Sequence, residues 1–585
     1  MLTTEDPKEI RLSGISASPG ICIGKAYIVD QEGVDVVEKY TLEKGDLNDE
    51  KNRFKAAVQQ AIDELRGIIS NTPEDLQQQT DILETHVVLL KDKMLYGRTL
   101  EIIEDDRVNA EWALKSVVSQ IKSIFTEMEE DYFRQRVADI VHVSDRIMRN
   151  LTGAESVNLA AIRKRVILVA TDLSPAQTSQ IQLERIKGFV TDQGGKACHT
   201  SIIARTLELP AVQGLSNATR MIQSDDLIVV DGSQGVVIVH PTEQTLIEFA
   251  ERQEVYEFEK SALTRESHLP AETIDKTRIK VMGNIELPEE VVSVHSYGGE
   301  GIGLYRSEFQ YMGRPDFPSE FELYDKYKDV IEVMAPNPVT IRTLDVNGDK
   351  AISSSLQRDE ANPALGLRGI RWCLKRQDVF QTQLRAILRS AVHGNVRIMF
   401  PMISTMAEIM EAKRQLDEAA SSLERDALPF NRDIKIGILI EVPSAVIMAD
   451  RLAAEVDFFS IGTNDLIQYA LAIDRSNKAV NHLFQPLDPA VLRLLKMVAD
   501  VGRKYRIRIF MCGEMAAYPA HIPVLLGLGL SELSMNPQAI PAAKNLIRKL
   551  KIRQTRDLVE KVLLEKSAND VYDLIRETYD TIINP

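Results

Sequence analysis

The sequence predicts a multidomain α/β protein: a C-terminal (β/α)8 TIM barrel, a smaller α/β domain before it, and a helical-bundle subdomain inserted into that smaller domain. Three observations predict it. From residue 278 onward eight β-type runs recur about 36 residues apart with helical patterns between them. Residues 43–150 are poor in Pro and Gly and place apolar residues at helical spacing. Residues 151–242 carry four short, β-branched runs.

In chain order, the first element is GISASPGICIGKAYIVD, residues 14–30, an apolar strand pattern that Pro19 and Gly20 interrupt. It has no sheet of its own nearby. The simplest assembly pairs it with the runs RVILVA, KGFVT, LIVVDGS and VVIVH of residues 165–240, so residues 1–42 and 151–242 form one domain and residues 43–150 are its insertion. Ile82, Leu83, Val87 and Leu90 illustrate the helical spacing of that insertion, which suggests about four helices. It carries 15 Lys plus Arg against 22 Asp plus Glu, nearly half of the chain's net charge of −16. Such a surface steers a basic partner or is simply solvated. Residues 243–277 read as a linker helix followed by loose chain, and residues 278–585 as the barrel.

Composition narrows the function classes. A chain of 585 residues with 44% hydrophobic and 27% charged residues builds several cores. Its acidic balance, 70 Lys plus Arg against 86 Asp plus Glu, argues against nucleic acid as a partner. Cys22, Cys198, Cys373 and Cys512 form no CxxC pair, which fits a reducing compartment. The N-terminus lacks a secretion-signal pattern and no apolar run is long enough to span a membrane, so the expectation is a cytoplasmic protein without membrane insertion.

The strand ends of the barrel carry the chemistry. Nearly all close on polar groups: Asn284, Arg306, Asp345, Glu441, Asn464 with Asp465, and Cys512 with Glu514. In such barrels these ends converge on one mouth. Arg306, Arg342, Arg368 and Arg475 would supply planar, bidentate donors for a phosphate or carboxylate. A single arginine there is commonly a structural ion pair; several on neighbouring strands of an acidic protein favour an anion site. Glu441 and Asp465 end adjacent strands and offer hard oxygen ligands suited to Mg2+. Cys512 is either an inert buried thiol or a proton donor or nucleophile, with Glu514 as support.

A second centre lies in GGKACHTSIIARTLELPAVQG, residues 194–214. His199 stands near the start of a helical pattern, where free N–H groups favour an anion, so it can carry a phosphoryl group or simply cap the helix. The glycines of GGEGIGLYR, residues 298–306, lack the spacing of a dinucleotide loop, and no Walker A, HExxH or GxSxG element is present.

At these two centres the match becomes specific. GGKACHTSIIARTLELPA resembles the phosphohistidine segment of the phosphoenolpyruvate-utilising family, and VDFFSIGTNDLIQYALAIDR followed by MCGE resembles its substrate-binding barrel. The order of parts is similar to the Enzyme I group of the bacterial phosphotransferase system along essentially the whole chain. The resemblance implies a swivelling phosphohistidine domain in which His199 accepts the phosphoryl group of phosphoenolpyruvate (PEP) and passes it to the phosphocarrier protein HPr. It implies that Arg306, Arg342, Arg368, Asn464 and Arg475 hold the substrate, that Glu441 and Asp465 bind Mg2+, and that Cys512 protonates the enolate to give pyruvate. It further implies a homodimer formed by the barrel and an HPr contact around Glu84 and His86. The chain departs from the family pattern at Lys196, Ala197 and Cys198 (usually Arg-Thr-Ser), at Ala364 and Leu367 (usually aromatic), and at Asn347 and Gly348 (usually Gly-Gly). Alternatives are a regulatory, nitrogen-type Enzyme I paralogue and a PEP synthase or pyruvate phosphate dikinase, for whose ATP-binding domain the chain has no length. A third is a PEP sensor without turnover.

Overall fold

The computed structural model describes residues 9–29, 39–42, 46–71, 80–126, 131–152, 164–172, 185–194, 200, 204, 208–312, 316–346, 362–475, 477 and 480–583. The chain divides into two compact units, residues 1–259 and 260–585.

The first unit holds an eight-stranded sheet. Its strands are β1 (Ile10–Ser13), β2 (Ile15–Ser18), β3 (Ile21–Ile28), β4 (Val166–Ala170), β5 (Ile186–Thr191), β6 (Ala211–Gln213), β7 (Leu227–Asp231) and β8 (Val236–Val239), ordered β1-β8-β7-β3-β4-β5-β6-β2. The interruption at Pro19 and Gly20 separates β2 from β3, and Gly20 takes a φ of +118°, where a side chain would be strained. β3 pairs in parallel with β4 and antiparallel with β7, so the early segment lies in the middle of the sheet built by the later strands. The sequence pattern does not reveal β1, because IRLS is a four-residue edge strand that pairs with β8 alone.

Between β3 and β4 the described chain forms five α-helices, one more than the composition suggests, and a π-helical turn (Lys93–Gly97): α1 (Leu47–Asn71), α2 (Thr80–Leu89), α3 (Arg98–Asp106), α4 (Ala110–Thr126) and α5 (Asp131–Thr152). α1 buries Phe54, Ala57, Val58, Ala61, Ile62 and Leu65, the i, i+3, i+4, i+7 stripe that drives it onto its neighbours. Glu50 of α1 accepts the backbone N–H of Ala110 at 2.7 Å, satisfying a free donor at the start of α4, and Arg53 bridges Glu50 and Glu111 at 2.6 Å each. Of Glu84 and His86, the residues expected around a partner contact, the structure corrects His86 alone. Its side chain is buried, at 3% exposure, while Glu84 and Val88 face solvent.

α6 (Glu243–Glu266) follows the sheet. Glu9, beside β1, accepts the Thr245 hydroxyl at 2.6 Å and the Thr242 N–H at 3.0 Å, tying the start of α6 to the sheet edge. The Thr245 hydroxyl and then the Thr242 N–H lower the Glu9 carboxyl from near 4.5 to about 2. A depressed carboxyl stabilises the fold in full above pH 4.5 and loses that contribution as pH falls toward 2. Thermal melts between pH 3 and 7 should therefore show a shallower pH dependence for Glu9→Gln than for the wild type. Superimposable profiles would refute this.

In the second unit β9 (Lys280–Ile285), β10 (Ile302–Arg306), β11 (Val339–Arg342), β12 (Val396–Phe400), β13 (Lys435–Ile440), β14 (Phe458–Ile461), β15 (Arg508–Met511) and β16 (Glu532–Met535) close into an all-parallel barrel, each strand beside its sequence neighbour. Leu304, Met399, Leu439, Phe458, Phe510 and Cys512 pack together as an apolar cluster. Near the strand starts a buried Arg397–Glu532 pair at 2.8 Å lies against the Phe510 ring. The described residues contain no helix long and apolar enough to cross a membrane.

Candidate active site

Among the described residues the strand ends of the barrel bring the cations Arg306, Arg342 and Arg368 together with several carboxylates. Arg306, the last residue of β10, pairs with Glu286 just beyond β9. Arg342, the last residue of β11, is buried between Glu308 and Asp345, the latter at 3.0 Å. Arg368 spans two carboxylates: its Nε lies 3.0 Å from Asp345 and its Nη2 2.9 Å from Asp465. Its Nη1 also donates to the Tyr469 hydroxyl at 3.3 Å. Tyr469 in turn donates to the carbonyl of Ala364, which holds the arginine to the backbone of its own loop. These are fork-shaped, charge-assisted contacts of the kind a phosphate or carboxylate competes for.

Asp345, Glu441 and Asp465 converge from β11, β13 and the turn after β14, with one oxygen of each inside a 4.8 Å cluster. Their environments differ. Burial works against the Asp345 charge, but Arg342 and Arg368 outweigh it and hold that carboxyl at about 2. Glu441, whose Oε1 accepts the Met402 N–H at 2.6 Å, is pushed well up by burial and then by its neighbours Asp345 and Asp465. Three buried carboxylates this close repel one another and present only hard oxygen donors. A divalent cation such as Mg2+ or Mn2+ suits that donor set.

Asp465 and Asn464 stand in the first turn of α7 (Thr463–Leu471), which starts where β14 ends. Asn464 donates to Glu514 at 3.1 Å and accepts the Glu514 N–H at 3.3 Å. Glu514 therefore supports Asn464, where the sequence suggests support for Cys512. Gly513 makes the close approach possible, since a Cβ there would lie 1.9 Å from the Thr463 hydroxyl.

Cys512 follows β15, 4% exposed. Its sulfur accepts the Ser460 hydroxyl at 3.1 Å, and the Asn284 amide donates to its backbone carbonyl at 3.0 Å. Burial pushes the thiol up to about 11, so it holds its proton at neutral pH.

Two sequence-derived residues do not join this cluster. Arg475 is exposed in the turn after α7, where its N–H donates to Gln468 at 3.3 Å, and among the described residues it forms no ion pair with the cluster. His199 lies outside the described residues, as do Lys196, Ala197, Cys198, Asn347 and Gly348. Of its neighbours, Thr200 is buried. Conversely, Glu286, Glu308 and Ser460 enter the site without a sequence argument for them. Asp345 is visible in the sequence as a strand-end carboxylate, but its closeness to Asp465 depends on barrel closure.

Comparison with known proteins finds matches along most of the chain. Residues 260–552 match the PEP-binding domain of PEP-utilising enzymes, residues 13–136 their N-terminal domain and residues 162–235 their mobile domain. The chain is 41% identical over 572 residues to the phosphoenolpyruvate-protein phosphotransferase of Bacillus subtilis, covering 97% of this chain and 99% of that one. It is 39% identical over 567 residues to that of Staphylococcus aureus, covering 96% and 98%. A solution structure described as Enzyme I (nEIt) is 35% identical and covers 42% of this chain and 99% of its own, with a TM-score of 0.36.

Proposed function

Because the chain belongs to the phosphoenolpyruvate-utilising enzyme family and matches proteins named phosphoenolpyruvate-protein phosphotransferase over 96–97% of its length, we propose that its barrel mouth binds PEP and that His199 receives the phosphoryl group for delivery to HPr. One observation supports the substrate site above all others: Arg306, Arg342 and Arg368 interleave with Glu286, Glu308, Asp345 and Asp465 at the strand ends. Each guanidinium is held in place by a carboxylate that an incoming anion replaces or joins. That is preorganisation, with donors oriented before the substrate arrives.

In this reading Arg306, Arg342, Arg368 and Asn464 orient the phosphate and carboxylate of PEP. Arg475 enters from the family resemblance alone. Asp345, Glu441 and Asp465 would hold Mg2+, which when bound supplies charge neutralisation at the phosphate and enolate oxygens. His199 attacks phosphorus, its ring nitrogen forming the new P–N bond as the P–O bond to the enolate breaks. Cys512 then gives its proton to the methylene carbon and pyruvate leaves. The helical subdomain, acidic and exposed at Glu84, is the surface we assign to HPr, which makes the α6 region the hinge that lets one histidine serve two partners. PEP is an intracellular donor, so the enzyme works in the cytoplasm.

The experiment is a coupled assay. With PEP, Mg2+ and HPr, each pyruvate released should be matched by one phosphoryl group on HPr. Binding of PEP with neither product would leave a sensor, and ATP-dependent PEP formation would make it a synthase. The family also implies that the barrel pairs with a second copy. Specific activity should then fall as the protein is diluted through its dimer dissociation, followed in parallel by sedimentation. Constant activity in a fully monomeric sample would contradict the dimer.

A further inference from the structure

The proton-transfer step assigned to Cys512 has a second participant that the reaction scheme does not use. Ser460 lies in β14 two residues after Phe458, and Cys512 lies two residues after Phe510 of β15. Strand residues two apart share a face, and Ser460 pairs in register with Phe510, so Cys512, just past the end of β15, lies one step further along the same face, within reach of the Ser460 hydroxyl. Ser460 is 1% exposed, and its hydroxyl donates to the Cys512 sulfur at 3.1 Å. Among the described residues the sulfur's other hydrogen-bond partner is the carbonyl of Ile461 at 3.7 Å, an acceptor only. Cys512 packs into an apolar cluster with Leu304, Met399, Leu439, Phe458 and Phe510, and Arg342, Glu441 and Arg306 act on it electrostatically. Asn284, itself held by the Ser534 hydroxyl at 2.6 Å, fixes the backbone carbonyl of Cys512.

Donating the proton leaves a charge on sulfur. The S–H bond breaks, the π pair of the enolate forms the new C–H bond, the enolate oxygen becomes the ketone, and the S–H electron pair stays on sulfur as a thiolate. A thiolate over an apolar floor is costly unless a donor meets it. Ile461 offers none, whereas the Ser460 O–H is already in place, and a hydrogen bond to a charged acceptor is stronger than one to a neutral thiol. The bond therefore strengthens as the reaction proceeds, which is the condition for accelerating a step. Water returns the proton to sulfur before the next turnover.

We propose that Ser460 is a positioning residue for this step, orienting the Cys512 thiol and stabilising the thiolate left when its proton has gone. The proposal rests on Cys512 being the donor, and the test separates the two. In the full-length enzyme with Mg2+, single-turnover pyruvate formation is measured together with KM for PEP. The face on which the proton arrives is read from the chirality of the methyl group formed from isotopically labelled PEP. For Ser460→Ala the expected result is a loss in rate of about 10- to 100-fold, the effect of removing one hydrogen bond to a charged group. KM and facial selectivity should be unchanged, because the thiol still delivers the proton. Ser460→Thr, which keeps the hydroxyl, should restore most of the rate, and it carries the test if the alanine variant does not fold. Cys512→Ala should lose both rate and selectivity; if it loses neither, the donor assignment is wrong and the role of Ser460 falls with it. If Cys512→Ala behaves as expected but Ser460→Ala keeps its rate, or loses selectivity as well, or if Thr is as slow as Ala, the proposal for Ser460 alone is overturned.

Discussion

Replacing His199 with Ala is expected to abolish phosphoryl uptake from PEP while leaving PEP binding intact. The acceptor and the substrate pocket belong to different parts of the chain, residues 162–235 and 260–552 in the family matches, so losing the imidazole removes the nucleophile without touching an arginine of the mouth. Wild-type enzyme incubated with PEP labelled in its phosphoryl group should carry acid-labile, base-stable label, as a phosphohistidine does. The His199→Ala variant should carry none above background. Equal labelling of both proteins would place the phosphoryl group elsewhere and remove the catalytic role of this residue.

The second large effect is expected at Arg368. Its guanidinium is the shared counter-ion of Asp345 and Asp465, with side-chain exposures of 12%, 3% and 11%. Arg368→Ala strands Asp465 beside Glu441 and leaves Asp345 with Arg342 as its remaining partner, and breaking a buried pair of this kind costs about 3–5 kcal/mol. The same change removes a donor for the substrate anion, for which a loss of about 100- to 1,000-fold in kcat/KM is the usual scale. The two consequences have opposite dependence on a divalent cation. Mg2+ should raise the melting temperature of Arg368→Ala more than that of the wild type, because the uncompensated carboxylates bind it more tightly. It should not restore kcat/KM. A variant whose stability is indifferent to Mg2+ would argue that these carboxylates are structural.

Much of this architecture is legible in the amino-acid sequence, because it rests on periodicity. The barrel strands are β-branched runs with helical patterns in most of the gaps, and a parallel barrel orders them as the chain does, so Glu441 and Asp465 can be placed just beyond the ends of adjacent strands from sequence alone. What stays hidden depends on distance across the barrel. Asp345 is visible as a strand-end carboxylate, but its approach to Asp465 comes from closure. Glu308 lies two residues beyond Arg306 yet pairs with Arg342 on the next strand. Ser460 reads as a small residue in a buried strand, since nothing in FFSIG states that the inward face of that position meets a thiol 52 residues later. Arg475 shows the converse, a residue type expected in the mouth but held in an exposed turn.

The claim on which the rest depends is that the barrel mouth is a joint site for PEP and a divalent cation, and calorimetric titration tests it most directly. His199→Ala enzyme, which cannot turn over, is titrated with PEP in the presence of Mg2+ and again in the presence of a chelator, alone and combined with Glu441→Gln or Asp465→Asn. Saturable binding that needs Mg2+ and is lost with either carboxylate is the predicted result. PEP binding of equal affinity with chelator present, or in both carboxylate variants, would contradict it.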